Sequence, residues 1–177
     1  MAATVTIREK NTNSETPTDK TSGTVRFKNY DHATVDVTYP LIVPVANTEF
    51  SFEKWLRLYI GATGPDAQIT GVNFYMDGAS GWDADVKLWA KAVAAFSTPA
   101  VPTETNDPPL MDVNGTPGAG VDAFSYTSGS PLSLGAGPYS STSADFGSYL
   151  ILCMEVEIGA SNQVLAAETA TFEYDEI

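Results

Sequence analysis

Along much of this chain apolar and polar residues alternate with period two, the pattern of strands that bury one face. The clearest case is 49–60. There Phe50, Phe52, Leu56, Leu58 and Ile60 fall on one face, and Ser51, Glu53, Trp55, Arg57 and Tyr59 on the other. Residues 3–8 alternate in the same way, and 68–76 carry Ile69, Val72, Phe74 and Met76 as apolar members. Residues 149–158 are almost continuously apolar, as expected of a central strand, and 168–175 (ETATFEYD) close the chain as another. The stretch 85–96 (DVKLWAKAVAAF) holds alanines and lysines that suit a helix. Val86, Leu88, Ala90, Ala92 and Ala94 also alternate, and the strand reading is preferred because the neighbours are strands. Short strands are expected at 24–28, 33–38 and 124–126, with 41–45 extended and Pro44 marking an edge.

Turn clusters punctuate these strands at 61–66 and 77–81. From 97 to 148 the periodicity dissolves into proline and glycine turns, read as a long connection draped over one end of the fold. Residues 11–23 (NTNSETPTDKTSG) are almost wholly polar and read as a flexible connection, which sets 1–23 apart as an N-terminal arm on a domain of 24–177. An ordinary long loop within one domain is the alternative. Seven to nine strands without a firm helix define an all-β class, a β-sandwich of jelly-roll or immunoglobulin-like type with long loops and an N-terminal arm.

Composition sharpens the functional side of this picture. With 22 acidic against 9 basic residues the net charge is −13. Such a surface repels phosphate, so neither nucleic acid nor an anionic membrane is an expected partner. A basic surface on another protein is a suitable one. No apolar stretch reaches the roughly 20 residues of a membrane helix, and residues 1–7 lead into strand-like alternation rather than a signal peptide, so synthesis and folding in the cytoplasm are expected.

Candidate chemistry is sparse. His32 is the sole histidine and Cys153 the sole cysteine, so thiolate–imidazole zinc sites are out of reach and a serine triad would have to be built on His32. Cys153 lies in an apolar run and reads as core filler. Asp77, Asp83 and Asp85 form the best calcium candidate but lack EF-hand spacing. No phosphate-binding, dinucleotide or redox motif occurs, and the expectation is a protein that is not an enzyme and carries no catalytic residue, metal or cofactor. Trp55 and Tyr59, on the face opposite the apolar stripe, and Trp82 and Trp89, flanking the acidic turn, could form an aromatic platform for a sugar or a protein interface. The bland reading is that both faces of their sheet are covered.

Three stretches carry a resemblance: TDKTSGTVRFK at 18–28, FEKWLRL at 52–58 and TFEYDEI at 171–177. They resemble, in order and spacing, proteins encoded among the head genes of tailed bacteriophages. The resemblance implies a virion structural protein, a capsid decoration (cement) protein on the capsid surface, with no catalytic residues to carry over. A major capsid protein is then the expected partner and a homo-oligomer, with a trimer favoured, the expected assembly. The arm would dock by adding Thr4, Val5, Thr6, Ile7 and Arg8 as a strand to a neighbour's sheet. A neck, tail or fibre-attachment component and a carbohydrate-binding module displayed on the particle are the alternatives.

Overall fold

The strand-forming stretches pair into two antiparallel sheets packed face to face, the all-β sandwich expected from the pattern. In the computed structural model the described residues are 3–12, 16–34, 37–62, 68–102, 108–140, 143–162 and 164–177. In chain order the strands are β1 (Thr4–Lys10), β2 (Thr18–Asp19), β3 (Glu49–Phe50), β4 (Lys54–Ala62), β5 (Ile69–Met76), β6 (Val86–Val93), β7 (Leu110–Met111), β8 (Gly118–Ala119), β9 (Val121–Asp122), β10 (Leu132–Gly135), β11 (Ala144–Val156) and β12 (Ala170–Glu176). The large sheet runs β2-β1-β4-β11-β6-β9, with β3 also pairing β11, and the small sheet runs β10-β5-β12. β7 and β8 form a separate hairpin. The large sheet ends in two-residue strands on both sides, which limits the bare edge available for unwanted pairing.

The main core lies between the sheets. Leu56, Leu58 and Ile60 of β4, Leu88 and Ala90 of β6, and Leu150 and Leu152 of β11 face Ile69, Val72, Phe74 and Met76 of β5. Each such aliphatic side chain contributes about 1.5–3 kcal/mol by leaving water. β11 is central, as its apolar run requires, and β6 pairs with it over eight residues, so the 85–96 stretch is strand over 86–93. Gly147, at φ 69°, carries the register shift between Phe146 and Leu150. A Cβ there would sit 3.1 Å from the Leu134 carbonyl oxygen.

Several expectations are corrected. The described part of residues 1–23 does not stand apart from the domain: β1 pairs in antiparallel register with β4 from Thr4↔Ala62 to Lys10↔Trp55, and β2 pairs with β1. Thr4, Val5, Thr6, Ile7 and Arg8 thus complete this chain's own sheet, and Val5 and Ile7 pack on its core. The 49–60 strand breaks at 51–53, because three successive amides bond to three different segments: Ser51 to Met154 O, Phe52 to Lys28 O and Glu53 to Ala100 O. The break turns Phe50 to the side of Trp55. Residues 24–28 form no strand; instead the Lys20 ammonium bonds the carbonyls of Thr24 and Ala33. Of 33–38, positions 33, 34, 37 and 38 are not strand, and 35–36 lie outside the described residues. At 124–126 a turn of 3-10 helix (Ala123–Ser125) replaces the expected strand, with the Asp122 carboxylate accepting from Phe124 N at 3.0 Å.

Candidate docking surface

The face of the large sheet turned away from the core is covered by this chain's own loops. Trp55, Trp89, Tyr149, Ile151 and Cys153 form a second cluster with Phe50 and Met111, closed by Val93, Phe96 and Val101. Phe96, Val101 and Met111 therefore supply the cover, and Trp55, Phe96 and Tyr149 meet with centroids 5.2–5.7 Å apart. Both indoles donate to buried carboxylates, Trp55 to Glu53 at 3.0 Å and Trp89 to Glu155 at 2.5 Å. Glu53 also accepts from the Asp112 amide, and burial pushes its carboxyl above the ordinary range. Around the rim, Arg8 lies 3.2 Å over the Tyr59 ring and Lys10 4.1 Å over Phe96.

This arrangement decides the aromatic platform. Trp55 is 0% exposed and cannot touch a sugar or a partner. Tyr59 is half-buried under Arg8. Trp82 is half-buried, with its indole nitrogen on Ala166 O at 2.7 Å and its ring edge-on to Phe124 at 5.5 Å. The three residues do not form one face.

The polar candidates are likewise absorbed by structure. Cys153 is fully buried beside Ser51, and burial drives its thiol far above the usual range, so it is no nucleophile in the folded state. His32 accepts from the Thr34 amide through Nδ1 at 3.0 Å and helps line a cleft of about 210 Å³ with Lys28, Tyr30, Thr38 and Tyr39. Asp83 accepts from the Asp85 amide at 3.2 Å and from the Ser161 hydroxyl at 2.8 Å and amide at 3.1 Å, and the Ser161 hydroxyl holds its carboxyl below the usual range. Among the described residues no three His, Cys, Asp or Glu side chains converge as a metal site would require, the 77–85 loop included. No helix among them is long and apolar enough to cross a membrane.

Two features escaped the sequence reading. One is a buried ionic network. Glu9 sits 3.1 Å from the Lys54 ammonium and 3.4 Å from that of Lys20, and Lys54 also donates to His32 O at 2.8 Å. The Asn11 amide, with its nitrogen toward the carboxylates, donates to Asp31 at 2.8 Å and to Glu9 at 3.2 Å. The signal was present: Glu9 continues the Val5–Ile7 row and Lys54 the Leu56–Leu58–Ile60 row, so both point inward.

The other is an apolar surface. A third small cluster (Val86, Met154, Val156 and Ala160) closes one end of the sandwich, and Leu41, Val43 and Leu165 pack on it. The residues between and beside these anchors face water: Ile42 is 65% exposed, Val45 98%, Ile158 56% and Val164 89%. Further along the same segment Val37 and Tyr39 are exposed as well. Single exposed apolar residues are ordinary, but a group gathered around one anchor cluster is the mark of an interaction surface. No family model, no curated protein and no solved structure matches the chain.

Proposed function

We propose that this protein is a structural component of a tailed-phage particle, a decoration protein that docks on the outside of the head against the major capsid protein. The observation that carries the docking reading is the exposure of Ile42, Val45, Ile158 and Val164, each one or two residues from a residue in or packed on the same end cluster, on a sandwich whose own cores are already closed. The resemblance of 18–28, 52–58 and 171–177 to phage head-gene proteins supports its place on a virion. Net charge of −13 suits a soluble protein that binds a basic protein surface. A closed cyclic oligomer, a trimer above all, would match three-fold positions on a capsid. Each copy needs only a standard interface of about 1,600 Å², because many copies act together.

The test is co-sedimentation of the purified protein with heads that lack it, with bound copies counted. Saturation at a stoichiometry of the order of the capsid subunits supports decoration. A dozen copies or fewer moves the protein to the neck or tail, and none removes it from the head. The sugar-binding alternative has lost its platform through the burial of Trp55 and the packing of Tyr59 and Trp82.

A further inference from the structure

The charges around the apolar end of the sandwich narrow what can sit on it. Glu49 stands opposite Val156 in the β3–β11 pair. Asp85 O accepts the Glu157 amide, so Asp85 and Glu157 flank the same strand end. Asp83 is bonded to Ser161, next to the anchor Ala160, and Glu168 accepts from the Gly81 amide beside Trp82. The nearby cations are Lys87, 2.6 Å from Glu157 and 3.9 Å from the buried Glu155, and Arg26 and Lys28, which flank Phe27 on the end cluster. Near this end Glu49, Asp83, Asp85, Glu157 and Glu168 therefore outnumber the half-buried Lys87 and Arg26, with Lys28 buried. The Ser161 hydroxyl, by bonding the charged form, holds the Asp83 carboxyl below its ordinary value.

We infer that this end is the docking surface itself, and that its occupant is a segment of another protein with an apolar centre and lysine or arginine flanks. The inference rests on the docking reading above and adds the place and the chemistry of the contact. Two copies of this chain meeting here would bring two acidic rims together, which disfavours a self-complementary dimer. A basic-flanked segment instead buries Ile42, Val45, Ile158 and Val164 and neutralises the rim. In such contacts the central apolar side chains carry the affinity and the rim charges chiefly set rate, specificity and salt dependence.

The experiment uses the full chain and a variant with Ile42→Ser and Val164→Ser, both at exposed positions and so expected to melt like wild type. The probe is a fluorescent peptide of alternating leucine and lysine, with a leucine–glutamate peptide as its counterpart; anisotropy reads binding at low and high salt. The expected result is wild-type binding of the lysine peptide that weakens with salt, no binding of the glutamate peptide, and roughly tenfold weaker binding by the variant. Val121→Glu, exposed on β9, is expected to bind as wild type does. Equal binding of both peptides by wild type overturns the charge assignment, and equal binding of the lysine peptide by wild type and variant overturns the surface. A wild-type dimer in analytical ultracentrifugation that the variant disperses would make the occupant a second copy. The same proteins are then sedimented with heads. Heads that bind wild type and variant alike leave decoration standing and remove this surface. Heads that bind neither, with the peptide result intact, remove decoration and leave the surface.

Discussion

The buried Glu9–Lys54–Lys20 network gives the sharpest test of how the first strand is held. Glu9→Gln keeps the shape and one acceptor but removes the charge. Lys54 is then left with a fully buried ammonium facing only neutral oxygens, since both side chains of the pair are 0% exposed. Lys20, at 5% side-chain exposure, loses its counter-charge as well. Breaking a buried pair on one side costs about 3–5 kcal/mol, and retention of one hydrogen bond puts this case near 3. In a domain of this size that lowers the melting temperature by roughly 6–12 °C. Urea unfolding at pH 7, followed by tryptophan fluorescence, reads the loss as a shift of midpoint at unchanged slope. The combined replacement Glu9→Leu, Lys20→Met and Lys54→Met leaves no orphan charge and should lie closer to wild type than Glu9→Gln does. A Glu9→Gln protein within about 1 kcal/mol of wild type would refute the reasoning, because an uncompensated charge in the interior is costly.

Other outcomes follow from the same structure. Deleting 1–23 strips β4 of one of its two partners and removes Glu9, so circular dichroism and urea titration should show loss of cooperative folding; a cooperative truncation would return these residues to the status of an arm. Burial raises the Glu53 carboxyl in the folded state, so its stabilising share is complete below the ordinary glutamate value and is lost as pH rises through the raised one. Wild type should therefore gain stability relative to Glu53→Gln as pH falls from 7 toward 4.5; a difference independent of pH would contradict this. Cys153 should resist a thiol reagent in the native protein and react at once in urea, and rapid native labelling would mean that its strand opens.

The sequence announced those strands whose side chains alternate against a core. β5 and β6 lie within the stretches the pattern marked, while β4, β11 and β12 overlap theirs and run past one end, β11 by five residues at its start. Where hydrogen bonding left the ladder, the pattern misled. Residues 51–53 keep the alternation of 49–60, yet their amides serve three different segments, and no periodicity encodes that choice. The polar run at 11–23 looked unburiable because each residue was judged alone. Lys20 is buried all the same, since Glu9 and two backbone carbonyls complete its coordination. Trp55 was misplaced as a platform for the converse reason: its face is polar along the strand, but the cover comes from Phe96, Val101 and Met111, distant in sequence.

That cover also explains why recognition would sit at the end of the sandwich. A sheet with one open face usually offers that face to a partner. Here the large sheet packs Leu56, Leu58 and Ile60 inward and Trp55, Tyr149 and Ile151 outward, and both sides are sealed by the chain itself. The core side of the small sheet is likewise spent on Phe74 and its neighbours. Ile42, Val45, Ile158 and Val164 are carried on segments without ladder partners, 37–45, 158–162 and 164, and Leu41, Val43, Ala160 and Leu165 beside them belong to or pack on the end cluster. Leu41 and Val43 pack on that cluster from either side of Ile42 and hold its side chain outward, so it stands ready for a partner with little ordering left to be done on binding.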